Sequence, residues 1–304
     1  MSTHIEGLVA APFTPLKPDR SLNLDAIGPY AELLHRNGVV GGFVCGSTGE
    51  GVSLTTDERM QVAARWAQDA PEGFRVIVHV GHTSAQECRA LAVHAQQVGA
   101  WATGAMGPYY FKPRTMDALV GFCAEVASAQ DLPFYYYHIP VLTGVGLPMI
   151  EFLRRAADVI PNLAGIKYTH SDLMDYALCR AFDGGRFDVL FGTDEMLLAA
   201  LAMGARGAIG SSYNFAAPLY NRIIAAFDEG DLLTARALQM KSIELIRLVA
   251  SAAGSYHTAA KATMGLLGVE CGPLRLPLPT ITPSELSALR AGLEEIGFAE
   301  FRCR

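Results

Sequence analysis

The chain has 304 residues, 51% of them hydrophobic, enough to bury a large core as one barrel with an appendage or as two ordinary domains. A formal net charge of −6 without any run of Lys or Arg leaves no electrostatic footprint for nucleic acid or anionic lipid, so small molecules and further copies of the chain are the expected partners. The opening MSTHIEGLVAAPFTP has no basic stretch followed by a long apolar one, and no run approaches the roughly 18 apolar residues of a membrane span, which sets the expectation of a soluble cytoplasmic protein.

Short runs of β-branched, aromatic and small apolar residues alternate with stretches of helical period. The strand-like runs are residues 7–11, 40–46, 75–81, 102–107, 133–139, 163–169, 189–193 and 207–212. Between them the helical period marks residues 56–69, 84–98, 116–129, 148–157, 173–182 and 196–203. Thr55 and Glu58 stand at capping-box spacing before the first of these. Strand and helix in alternation imply parallel strands with crossover helices, and eight repeats point to an α/β fold of the closed (β/α)₈ TIM barrel type.

After residue 217 everything reads as helix: 219–228, 232–252, 258–267 and 283–296. Thr282 is the expected N-cap of the last, with Pro283 in the first helical position, and the proline-rich stretch 272–279 is a loop. The expected organisation is a barrel over residues 1–230 that carries the active site and a C-terminal helical appendage over 231–304. Six cysteines without a C-x-x-C pair read as reduced thiols rather than a disulfide framework or zinc knuckle.

In such barrels the reactive groups emerge where strands end. Of only five lysines, Lys167 alone ends an apolar strand, Leu163-Ala-Gly-Ile-Lys, while the other four are placed in loops or on helices where an ammonium stays solvated. A partly desolvated amine favours its neutral form, the nucleophile that condenses with a ketone. Position alone also allows a lysine that caps a strand or pairs with a carboxylate. The turn Gly46-Ser47-Thr48-Gly49-Glu50-Gly51 offers backbone N–H groups and two hydroxyls to one anion, or is simply a tight turn. In the fifth strand Tyr135 and Tyr137 share a face, and a phenol near the strand end suits proton relay. His79 and His82 would suit zinc, but no further ligand completes a set of three, and a structural His79 is expected.

Assembled, these residues resemble the family of N-acetylneuraminate lyase and dihydrodipicolinate synthase over essentially the whole chain. Gly46-Ser47-Thr48-Gly49-Glu50 is similar to the family's pyruvate-carboxylate loop, Tyr137 through Pro140 to its Tyr-x-x-Pro strand end, and Gly165-Ile166-Lys167 to its Schiff-base strand. The resemblance implies that Lys167 binds pyruvate covalently, that Tyr137 relays protons, and that Ser47 and Thr48 hold the carboxylate. It further implies a homotetramer in which a tyrosine approaches the neighbouring subunit's site, and Tyr110 stands at that place.

The two branches of the family differ in two places. Where the synthase branch has an arginine two residues beyond Tyr-x-x-Pro, this chain has Leu142, which lacks a guanidinium fork for a carboxylate. Asp194 and Glu195 match the acidic pair with which the lyase branch receives sugar hydroxyls, and Thr169, Gly192 and Ser211 match positions lining the sugar pocket. Asp194 has a second reading, as N-cap of the helix near Met196. The resemblance therefore implies a class I aldolase acting on pyruvate and an amino-sugar aldehyde, without cofactor or metal. Another pyruvate-dependent aldolase or a dihydrodipicolinate synthase is the alternative within the class, and a ligand-binding barrel without turnover the alternative outside it.

Overall fold

The computed structural model describes residues 4–304. Eight strands, β1 (Gly7–Ala10), β2 (Val39–Val44), β3 (Arg75–His79), β4 (Ala102–Met106), β5 (Phe134–His138), β6 (Leu163–Tyr168), β7 (Asp188–Phe191) and β8 (Gly207–Gly210), pair in parallel in chain order, and β8 returns to β1 to close a barrel. The sequence places all eight but runs each one or two residues too far at its C-terminal end. Those residues leave the ladder to form the barrel mouth; Cys45, for instance, turns into the left-handed region at φ 57° directly after β2.

Period-two alternation sorts the side chains. Val9, Phe43, Ile77, Tyr135, Tyr137, Leu190 and Ile209 fill the barrel, while Leu8, Val44, Val78, Tyr136, Ile166 and Val189 face the helix layer. Low in the barrel, the Tyr135 hydroxyl and the Ile5 N–H both donate to Asp188 Oδ2, each over 3.0 Å, so the buried carboxylate is hydrogen-bonded.

The helix layer comprises α1 (Ile27–Arg36), α2 (Thr56–Asp69), α3 (Ala85–Gln97), α4 (Met116–Ala127), the single turn α5 (Pro140–Thr143), α6 (Met149–Ala156), α7 (Leu173–Ala181), α8 (Leu197–Ala202) and α9 (Tyr213–Asp228). The α2 capping box is formed, with Thr55 Oγ1 accepting from the Glu58 N–H and Glu58 Oε2 from the Thr55 N–H. Helix α1 is not among the helical stretches expected from the sequence. Pro29 sits in the first turn, where its missing N–H costs no bond, and Ile27, Tyr30, Ala31, Leu33 and Leu34 bury one face. Helix α9 begins six residues before its expected start, and non-helical geometry at Ala216 (φ −135°) accommodates Pro218 inside it.

Beyond the barrel, α10 (Leu232–Ala252), α11 (Tyr256–Gly265) and α12 (Pro283–Glu295) form the C-terminal helical appendage. Thr282 caps α12 in a second capping box, closed by Glu285. All six cysteines are free and buried. Among the described residues no helix is long and apolar enough to cross a membrane.

Candidate active site

Every expected site residue except Tyr110 lines a single cavity of about 240 Å³ at the C-terminal mouth of the barrel. Lys167, fifth residue of β6, is 3% exposed. Its Nζ lies 4.0 Å from the Phe43 ring centroid and 4.1 Å from that of Tyr137. Among the described residues the contacts of this amine are those two ring faces, without a hydrogen bond or ion pair, which favours a desolvated amine over the strand-capping and ion-paired readings. Burial lowers its pKa to about 7, against the opposing pull of the Asp194 carboxylate.

Tyr137 stands opposite Lys167 in the β5–β6 register. Burial pushes its phenol up to about 12, with the Ser47 hydroxyl, 3.5 Å away, working against the rise. At neutral pH the phenol therefore keeps its proton. Ser47 and Thr48 occupy the turn after β2, which is bracketed by two non-glycine residues of positive φ, Cys45 (57°) and Glu50 (55°). The turn is closed by Gly51 N–H donating to Gly46 O (3.1 Å) and anchored by the Thr14 hydroxyl donating to Gly49 O (2.6 Å).

Asp194 and Glu195 follow β7 in a 3₁₀ turn but are not equivalent. Asp194 is buried, and its Oδ2 accepts from the Ser212 N–H (2.8 Å) and hydroxyl (2.5 Å). Burial raises its pKa to about 6, opposed by those Ser212 bonds. It makes no capping bond to α8, whose N-terminus has no side-chain cap. Glu195 is exposed to solvent on the cavity wall. Two glycines make this geometry possible: a Cβ on Gly192 would lie 2.0 Å from Thr169 Oγ1, and one on Gly210 would lie 1.9 Å from Asp194 Oδ1. Thr169 Oγ1 is itself buried without a hydrogen-bond partner.

His79 at the end of β3 and His82 just beyond it are separately engaged. His79 Nδ1 donates to Cys45 O over 3.1 Å, while Arg59, also buried, donates to the carbonyls of His79 (2.6 Å) and Gly81 (3.0 Å). Burial, then the Arg59 charge, holds His79 well below the ordinary imidazole value. His82 Nδ1 accepts from the Ser84 N–H. No group of three His, Cys, Asp or Glu among the described residues is arranged to hold a metal ion.

The structure corrects one expectation and adds residues that sequence reasoning missed. Lys261, expected to stay solvated, is 2% exposed and pairs with Glu50 Oε1 at 2.7 Å. The cavity wall includes Ile246, Tyr256 and His257 from the appendage, and the Tyr256 hydroxyl lies 2.9 Å from that of Ser211. The aromatic pair Tyr256-His257 is the available signal, and it falls two residues before the expected start of α11. Tyr110 lies outside the cavity, 76% exposed and edge-on to Phe111, whereas Leu142 lines the cavity without any cationic group.

A desolvated lysine on the sixth strand of a (β/α)₈ barrel, faced by a neutral phenol and a hydroxyl-bearing turn, is the architecture of a class I, imine-forming aldolase. The chain belongs to the dihydrodipicolinate synthetase family, whose profile matches residues 4–296. It is 40% identical over 302 residues to N-acetylneuraminate lyase of Rattus norvegicus, covering 98% of this chain and 94% of the relative. Among solved structures it is similar to Proteus mirabilis N-acetylneuraminate lyase, with a TM-score of 0.94 at 37% identity over 97% of this chain and 99% of that one. The N-acetylneuraminate lyase (sialic acid aldolase) of Aliivibrio salmonicida superimposes with a TM-score of 0.94 at 39% identity, covering 97% and 98%.

Proposed function

We propose that the protein is a Schiff-base lyase that reversibly cleaves N-acetylneuraminate to N-acetylmannosamine and pyruvate. The observation that carries this reading is Lys167, buried, without an ion-pair partner and directly beside Tyr137, in a chain of this family. The neutral amine adds to the C2 ketone of the open-chain sugar acid, and loss of water gives an iminium. Ser47 and Thr48 hold the substrate carboxylate. As the C3–C4 bond breaks, its electron pair flows into the iminium to give an enamine, the C4 oxygen becomes the aldehyde, and the Tyr137 phenol relays its proton. Protonation at C3 and hydrolysis release pyruvate and restore Lys167. The iminium is the electron sink, so the chemistry calls for no cofactor.

Glu195 receives the hydroxyl-rich tail, with Asp194, Thr169, Gly192 and Ser211 shaping the same wall. The neutral Leu142 wall favours this polyol over a second substrate with its own carboxylate, the synthase reaction. Residues 1–230 act as the catalytic barrel, to which the appendage 231–304 lends Tyr256 and His257. In the same reading the protein works in the cytoplasm as a homotetramer, with the exposed Tyr110 reaching toward a neighbouring site.

Pyruvate and borohydride should leave a lactyl-sized adduct on Lys167. Peptide mapping that places the adduct on Lys112 or Lys261, or finds none, overturns the assignment.

A further inference from the structure

The turn that carries Ser47 and Thr48 is bound to the C-terminal appendage through a side chain the reaction does not use. Glu50 adopts φ 55° and ψ 28°, a left-handed conformation that a non-glycine residue keeps only where its surroundings hold it. Its carboxylate supplies the restraint. Oε1 accepts from Lys261 Nζ on α11 at 2.7 Å, and Oε2 accepts from the backbone N–H of Arg275 at 2.7 Å. Both side chains of the pair are 1% exposed, and Lys261 also donates to Pro273 O at 2.9 Å.

The Arg275 guanidinium in turn grips both oxygens of Glu58, the residue that closes the α2 capping box, and donates to Ser53 O. Residues 50–58 are thus attached at both ends to the segment 273–275. Stability alone is a poor account of such a pair, because desolvation offsets much of the attraction and apolar residues of similar volume commonly serve as well. What an ion pair adds is direction.

We propose that Glu50 and Lys261 are positioning residues that set the substrate-carboxylate turn, so that the appendage governs pyruvate affinity without touching pyruvate. The inference rests on the aldolase reading above, in which Ser47 and Thr48 hold that carboxylate. Helix α11 also contributes Tyr256 and His257 to the cavity one turn before Lys261, so one helix both lines the site and orients its loop.

The test compares wild type with Lys261→Met and the neutral double variant Glu50→Gln/Lys261→Met. Two quantities are read: the pyruvate concentration that half-saturates borohydride trapping on Lys167, and the trapping rate at saturation. In a folded variant the half-saturating concentration should rise about ten- to a hundredfold, as charge-assisted bonds to the carboxylate fall out of line. The saturated rate should change by less than about threefold, because the amine and its surroundings are untouched. Hydrogen exchange on wild type needs no variant: pyruvate should slow exchange of the Arg275 amide, whose acceptor is Glu50, together with the amides of residues 46–51. Unchanged half-saturation in a folded variant, or protection confined to residues 46–51, overturns the proposal while leaving the aldolase intact. A wild type that traps no pyruvate overturns both.

Discussion

Tyr137 and Lys167 are direct cross-strand partners in β5 and β6, and the lysine nitrogen lies 4.1 Å from the tyrosine ring centroid. Burial acts on the two in opposite senses of charge, lowering the amine to about 7 and raising the phenol to about 12. Between those values both groups are neutral, one a nucleophile and the other a proton donor, which is the state imine formation needs.

The first consequence is a pH profile. Below about 7 Lys167 holds its proton and cannot attack; above it the amine is free. The rate of imine trapping at saturating pyruvate should therefore rise through pH 7 and level off above pH 8 or so. A rate still climbing tenfold per unit toward pH 10 would show that the lysine titrates at its ordinary value.

The same burial has a cost in stability. An unfolded lysine keeps its proton up to about 10.5, whereas the folded one releases it near 7, so between those values the unfolded chain binds more protons. Stability contributed at this position therefore falls as pH drops from about 10 to 7 and is constant below. Lys167→Met should melt higher than wild type at pH 7, by a margin that shrinks toward pH 10. Parallel melting curves across that range would contradict the shift.

Specificity should separate from covalent chemistry at Glu195. Glu195→Ala removes a charge-assisted acceptor worth about 1.5–3 kcal/mol, so kcat/KM for N-acetylneuraminate should fall about ten- to a hundredfold while pyruvate trapping stays near wild type. Leu142→Arg should not improve the sugar reaction, since it sets a cation against a polyol. A wild type that prefers aspartate semialdehyde to N-acetylmannosamine would reverse the assignment of branch.

Gly192 tests the packing of the sugar wall. An alanine there would put its Cβ 2.0 Å from Thr169 Oγ1 and 3.0 Å from Thr169 Cβ, so Thr169 must move. Overpacking of this kind costs about 1–3 kcal/mol, and sugar cleavage should drop about tenfold. Thr169→Ala in the same chain removes the clashing hydroxyl but keeps the Cβ at 3.0 Å, so it should recover part of the lost melting temperature and none of the activity; a double variant as unstable as the single would place the strain elsewhere.

Much of this was legible in the residues themselves, because the signals are local. Alternation over two residues marked the strands, Thr55 with Glu58 and Thr282 with Pro283 marked helix starts, and Lys167 stood out as a cation ending an apolar strand. Helix α1 was not among them, although its Pro29 stands in the first turn, where a proline is harmless.

What tertiary structure decided are quantities that depend on distance through space. Neither the Phe43 and Tyr137 rings that desolvate Lys167 nor the Ser212 groups that occupy Asp194 can be inferred from their own neighbours in sequence. Glu50 and Lys261 lie 211 positions apart, and each alone reads as a solvated surface charge. Closing eight strands into a barrel and folding the appendage over its mouth brings them together, and only then does burial turn a residue type into a chemical property.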